Sequence, residues 1–233
     1  MSLTRRSSSG SIRSMAAIGP EATICDITFT LYVEKFRRLA SYTEAVAPRL
    51  GEYPDGISLF VDSNVVLMLA WHEEFLKSLM ADGIRHKENE ARNYFSAHGH
   101  TEEKHQAHTC GLPALISMGR RRVTFKNRGA ATERLFTHLF GFSLWPDERT
   151  HLYVSDLNIL RQLVVHHGGA SLGDEYWNQL HEKAIVETRR YGDLPAIRRI
   201  DYHYCLTRFM KDIFLALARQ AYHVRDELQA RSD

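Results

Sequence analysis

The chain has 233 residues, 44% hydrophobic and 25% charged, with a formal net charge of +2 and three cysteines. That composition belongs to an ordinary globular protein able to bury a real core, and a charge so close to balance discriminates little between partners. It excludes a disulfide framework and a paired Cys-x2-Cys zinc module, because Cys25, Cys110 and Cys205 are far apart and odd in number. A reducing, cytoplasmic setting is therefore expected. No run reaches the roughly 18 apolar residues needed to span a membrane. No Walker A loop, dinucleotide-binding glycine pattern or Gly-x-Ser-x-Gly elbow occurs either, which argues against the common nucleotide-dependent and hydrolase classes.

The first 20 residues are serine-rich, basic and free of acids up to Pro20, and read as a disordered tail. An organelle transit peptide shares that composition, but this stretch lacks an amphipathic face. Residues 21–233 are expected to form a single domain, since no internal linker rich in Pro, Gly or Ser divides them. A first helix is predicted over Ile24–Ala47, with an apolar stripe of Ile24, Ile27, Leu31, Val33 and Phe36, and with Pro48 as its stop. Asp62 and Ser63 are candidate N-caps for a second, strongly apolar helix over 62–82, closed by Gly83.

The pattern then turns polar from Lys87 to Cys110. Short helices are expected near Glu88–Ala97 and Thr101–His108. Residues 111–128 read as irregular, or as a short hairpin through Arg122-Val123-Thr124-Phe125. Helical spacing returns over Ala130–Phe140, breaks at Gly141, Pro146 and Asp147, and resumes over Ser155–His167. A helix over Asp174–Tyr191, a turn at Gly192–Pro195 and a long helix over Asp201–Gln229 complete the chain. Almost nothing alternates with period two. The expected class is all-α, an up-and-down bundle of four main helices (24–47, 62–82, 155–167 and 201–229) carrying shorter ones.

Chemistry concentrates at the end of the third main helix. Arg161 is followed five residues later by His166, then by His167 and the helix-stopping pair Gly168-Gly169. A permanent cation and an imidazole on adjoining turns suit phosphate chemistry, the guanidinium gripping an oxyanion and the imidazole moving protons. Similar Arg/His spacings occur at Arg92 to His98 and at Arg198 to His203. The first runs into a polar stretch without an apolar stripe, and the second spans a loop-to-helix junction. Only the 161–166 copy lies in an amphipathic run, formed by Leu157, Leu160, Leu163 and Val164. Gln162 stands one turn before His166 and Asn158 one turn before Gln162, so the three are expected to share a polar stripe. Arg161 and His166 are about 140° apart around an ideal helix, too far to converge in one straight segment. Glu73 or Glu74 is a candidate partner for Arg161 across the bundle.

This arrangement resembles the HEPN superfamily, small all-α domains marked by Arg-x4-6-His, many of them metal-independent ribonucleases. The likeness extends over roughly 24–82 and 130–229, includes Glu73-Glu74-Phe75-Leu76 in the second helix, and implies that the polar, His-rich and basic stretch 84–128 is an insertion. Gln162 stands where the family commonly has Asn. The resemblance implies an endoribonuclease acting through the RNA 2′-hydroxyl, in a defence or toxin–antitoxin setting with a cognate antitoxin or regulatory protein. It implies Arg161, His166 and Gln162 as the catalytic set, with His167, Asn158 and Glu74 as secondary candidates. It also implies a homodimer in which two 155–169 helices face each other and share a cleft, and no cofactor.

Two further segments invite function. Arg120, Arg121, Arg122, Lys126 and Arg128 form an acid-free basic run around Phe125, suited to an RNA backbone with one ring for stacking. A solubilising loop is the alternative. His98, His100, His105, His108 and Cys110 offer zinc-ligand chemistry, but their spacing matches no known zinc module. No metal is therefore expected there. The endoribonuclease competes with a non-catalytic module that binds nucleotide, RNA or a protein partner, and with a small metalloprotein organised around 98–110.

Overall fold

The computed structural model describes residues 23–50, 52, 56–125, 129–167 and 206–231. The N-terminal tail, the helix and turn expected over 174–195, and Lys126 and Arg128 lie outside the described residues. Every regular element among the described residues is an α-helix, so the chain is all-α. In chain order these are α1 (Thr23–Leu50), α2 (Gly56–His86), α3 (Glu88–His98), α4 (Thr101–Gln106), α5 (Leu112–Arg122), α6 (Ala130–Phe140), α7 (Glu148–His167) and α8 (Leu206–Ala230). Helix α1 packs on α2, α2 on α7, α7 on α8, and α8 returns to α1.

Several boundaries differ from expectation, each for a local reason. Helix α1 runs through Pro48 to Leu50; a proline so near the C-terminus forfeits one N–H bond with little left to disrupt. Its buried face is Tyr32, Phe36, Leu39 and Thr43, at helical spacing, while Leu31 of the predicted stripe is exposed. Helix α2 starts at Gly56, so Asp62 and Ser63 are interior residues rather than caps. Gly83 does not stop α2 but lies buried within it, where an added Cβ would come 2.6 Å from the Phe140 ring. Helix α7 begins at Glu148, seven residues before the predicted start. Asp147 caps it, accepting from the Thr150 amide at 2.7 Å and the Thr150 hydroxyl at 2.9 Å.

The largest correction concerns 111–128. Residues Leu112–Arg122 form a helix, with Pro113 in the first turn where its missing N–H costs nothing and Leu115, Met118 and Gly119 turned inward. A Cβ at Gly119 would overlap Ile84, so the glycine that looked like a loop residue is a close-packing position. Among the described residues, Val123–Phe125 follow this helix without regular structure, and Val123 is extended. The Thr132 hydroxyl accepts from the Thr124 amide and bonds back to the carbonyls of Thr124 and Arg122, replacing the partners a strand would supply. The segment read as a polar insertion also supplies core: Ile84, Phe95, Leu115 and Met118 join the same buried cluster as Tyr32, Leu157 and Leu217. At about 2 kcal/mol per fully buried large side chain, that contribution is substantial.

Polar groups also sit deep in this core. His72 of α2 is fully buried; its Nδ1 pairs with the Tyr32 hydroxyl of α1 at 2.8 Å, and the Phe125 ring stacks on it at 6.0 Å. Its Nε2 neighbours the buried Gln220 carboxamide of α8 without a well-formed hydrogen bond. Burial lowers the imidazole from 6.5 to about 3, against smaller upward pulls from Gln220 and the Glu73 charge. The unfolded chain therefore takes a proton below its ordinary pKa that the folded chain refuses until about 3. Stability contributed by neutral His72 is complete above about pH 6.5 and is lost as pH falls toward 3, by about 1 kcal/mol per unit. Thermal melts between neutral pH and pH 4.5 should show a steep acid limb that is shallower in His72→Gln; equal slopes would refute the assignment.

Candidate active site

The site expected from the sequence is built on α7, whose inward face is unusually polar. Ser155 and Asn158 are both buried, each donating to the carbonyl four residues earlier, at 2.8 Å to His151 and 2.9 Å to Val154. Asn158 thus faces the core and not an open polar stripe. Arg161 follows one turn later at the edge of the core. The backbone of Gln162, His166 and His167 belongs to α7, but their side chains lie outside the described residues. Val165 is 55% exposed although it stands only about 20° from the azimuth of Asn158, which is 6% exposed. Val165 has therefore left the core that Asn158 faces.

Arg161 meets α2 through a carboxylate. Its Nη1 donates to Glu73 Oε2 at 2.8 Å, and Lys77 Nζ donates to Glu73 Oε1 at 2.6 Å. The three side chains are 24–27% exposed. Burial pushes the Glu73 carboxyl up, but the hydrogen bonds and charges of Arg161 and Lys77 outweigh it and hold the group below the usual range. Glu74, named beforehand as a secondary site candidate, is not at this junction. Neighbouring helix residues point about 100° apart, so Glu74 faces α5 and pairs with Arg120 at 2.6 Å. The helical spacing of Glu73 and Lys77 was the sequence signal for the junction.

The other candidates divide. Arg120 is held by Glu74, and Arg122 by Glu103 in a largely buried pair, so two cations of the basic run are tied to acids; Arg121 is exposed. Arg92, the first residue of the rival Arg-to-His spacing, binds Glu88 and the carbonyls of Ala107 and Cys110, fastening α3 to the segment after α4. Arg198 and His203 lie outside the described residues. The histidine-rich stretch is dispersed: His100 caps α4 reciprocally with Glu103, Ser96 and His108 pair at 2.6 Å, and the His98 ring lies against Tyr94. Among the described residues no three His, Cys, Asp or Glu side chains converge as a metal site would require. No helix among them is long and apolar enough to cross a membrane.

No protein-family model, curated protein or solved structure matches the chain. The two α2 carboxylates make separate predictions. Glu73→Ala strips the shared partner from two half-buried cations and should cost about 1–2 kcal/mol, whereas Glu74→Ala, at a more exposed pair, should cost less than about 0.5 kcal/mol. Urea denaturation of the two variants checks the ranking, and equal losses would mean that Glu73 carries no special load.

Proposed function

We propose that the chain is a metal-independent endoribonuclease, on an up-and-down four-helix core of α1, α2, α7 and α8, that cleaves RNA by attack of its own 2′-hydroxyl. The observation that carries this reading is Arg161, fastened half-buried to Glu73 one turn before α7 leaves the core. A planar cation fixed at such a boundary is oriented by protein and still reachable by a phosphate.

Each step has an assigned group. RNA supplies the nucleophile, so the protein must remove the 2′ proton, protonate the departing 5′-oxygen and stabilise charge on the phosphorus centre. His166 is the proton carrier, Arg161 the phosphate clamp, and Gln162 the amide that orients the imidazole or a phosphate oxygen. His167 is the second choice for the proton carrier. Because Arg161 and His166 diverge by about 140° along one helix, the complete site draws on two chains related by a two-fold axis near the α7 termini. Arg121, exposed beside the paired Arg120 and Arg122, is the described residue of the basic run best placed to add backbone contact.

One observation favours the alternative, a non-catalytic RNA- or protein-binding module: Arg161 Nη1 already has a carboxylate partner. The alternative predicts binding without cleavage. The test is purified protein against single-stranded RNA in chelator. Cleavage should leave 2′,3′-cyclic phosphate ends, DNA of the same sequence should stay intact, and His166→Ala should slow the reaction by roughly 10²–10⁴ with an unchanged melt. Arg161→Lys should fail similarly, since a point charge cannot reproduce a two-pronged contact. Uncut RNA with the wild type, or full activity in His166→Ala, would leave the binding module as the answer. Light scattering should give a dimer at micromolar concentration; a strict monomer would remove the shared site.

A further inference from the structure

Glu73 holds one cation on each carboxylate oxygen, Lys77 from its own helix and Arg161 from α7. The arrangement is unbalanced. Two full positive charges share one negative charge, leaving the trio at net +1 in surroundings where each side chain is only about a quarter exposed. Among the described residues, the groups beside it do not correct this. His72 is buried and uncharged near neutral pH, and Glu74 is committed to Arg120. An excess cation in a partly desolvated position is costly unless an anion completes it, and the partial exposure of Lys77 and Arg161 leaves an anion a way in.

We propose that Lys77 is the second cation of a phosphate-binding site shared with Arg161, and that Glu73 is the positioning residue holding both cations at one spot. The ligand class is the phosphodiester of single-stranded RNA. This rests on the ribonuclease reading for the identity of the nucleic acid but not for the charge arithmetic. The two cations differ in kind. The guanidinium presents a planar fork to two oxygens, whereas the ammonium is a compact charge that neutralises whichever oxygen it meets. Glu73 shortens the reach of both and prevents the long side chains from sampling solvent, so little order has to be imposed when phosphate arrives.

The experiment follows a fluorescein-labelled single-stranded RNA by anisotropy across a salt series, together with its cleavage, for wild type, Lys77→Gln and Lys77→Arg. Glutamine can still donate to Glu73 but carries no charge. Lys77→Gln should weaken binding about 5–20-fold at low salt and reduce the slope of log affinity against log salt by about 0.7, the value for one lost phosphate contact on a single strand. Lys77→Arg should restore the slope. Urea melts of all three proteins separate this from a folding defect, which would lower stability without altering the salt slope of the folded fraction. An unchanged affinity and slope in Lys77→Gln would overturn the proposal even if the wild type cuts RNA. If the wild type binds but never cuts, the ribonuclease reading fails and the salt slope still decides on Lys77. If the wild type does not bind RNA at all, both fall.

Discussion

Three consecutive residues of α2 set the arrangement of the helices around it. An α-helix turns about 100° per residue, so His72, Glu73 and Glu74 leave the helix in three directions. His72 points to Tyr32 of α1 and Gln220 of α8, Glu73 to Arg161 of α7, and Glu74 to Arg120 of α5. Apolar burial supplies most of the stability, but it is non-directional and tolerates sliding and rotation of one helix on another. The Tyr32–His72 bond and the two carboxylate pairs do not, because each can form only at one rotation and one height. A single turn of α2 thereby specifies which neighbour lies on which side.

The depth of each group matches its chemistry. The imidazole can be fully buried because it can remain neutral, with its charged form suppressed by desolvation. The glutamates cannot shed their charge so readily, and both sit nearer the surface with a cation against them. Gln220 is the weak member of this scheme. Its carboxamide is buried without a partner among the described residues, which marks the contact of α8 with His72 as the least well satisfied polar contact in the core.

Legibility from the sequence followed the length and cleanness of the apolar stripes. Helix α6 matched its predicted limits, bounded by Gly129 and Gly141, which adopt positive φ. Helix α5 was missed because its inward face includes Gly119, a residue that more often marks a turn, although the three arginines of its last turn suit a helix C-terminus. Gly83 misled in the same way: glycine ends helices often enough to read as a stop, yet here it makes room for Phe140. The helix carrying Arg161 was legible as a helix, but the orientation of Asn158 on it was not. Asn158 satisfies its amide on its own helix and turns into the core, an option that side-chain type alone does not reveal. The choice between Glu73 and Glu74 also needed the rotation of α2, which depends on the packing of its whole length.

Exposure along α7 rises from Asn158 through Arg161 to Val165, so the helix passes from core to open surface within two turns. On the proposed reading, that gradient separates the Arg161 spacing from the Arg92 spacing, whose contacts are structural. Arg92 directs its donors to a carboxylate and two carbonyls of its own neighbourhood, and removing it from them would leave those groups without partners. Arg161 has a single described tether, to a carboxylate whose other oxygen is held by a second cation. A group so placed has its position determined by the protein, while its charge is not fully cancelled there. On the proposed reading, the imidazole then comes from beyond this boundary, on the turn that carries the exposed Val165. The same reading calls for a second copy of the helix, and not a tighter first one, to complete the site.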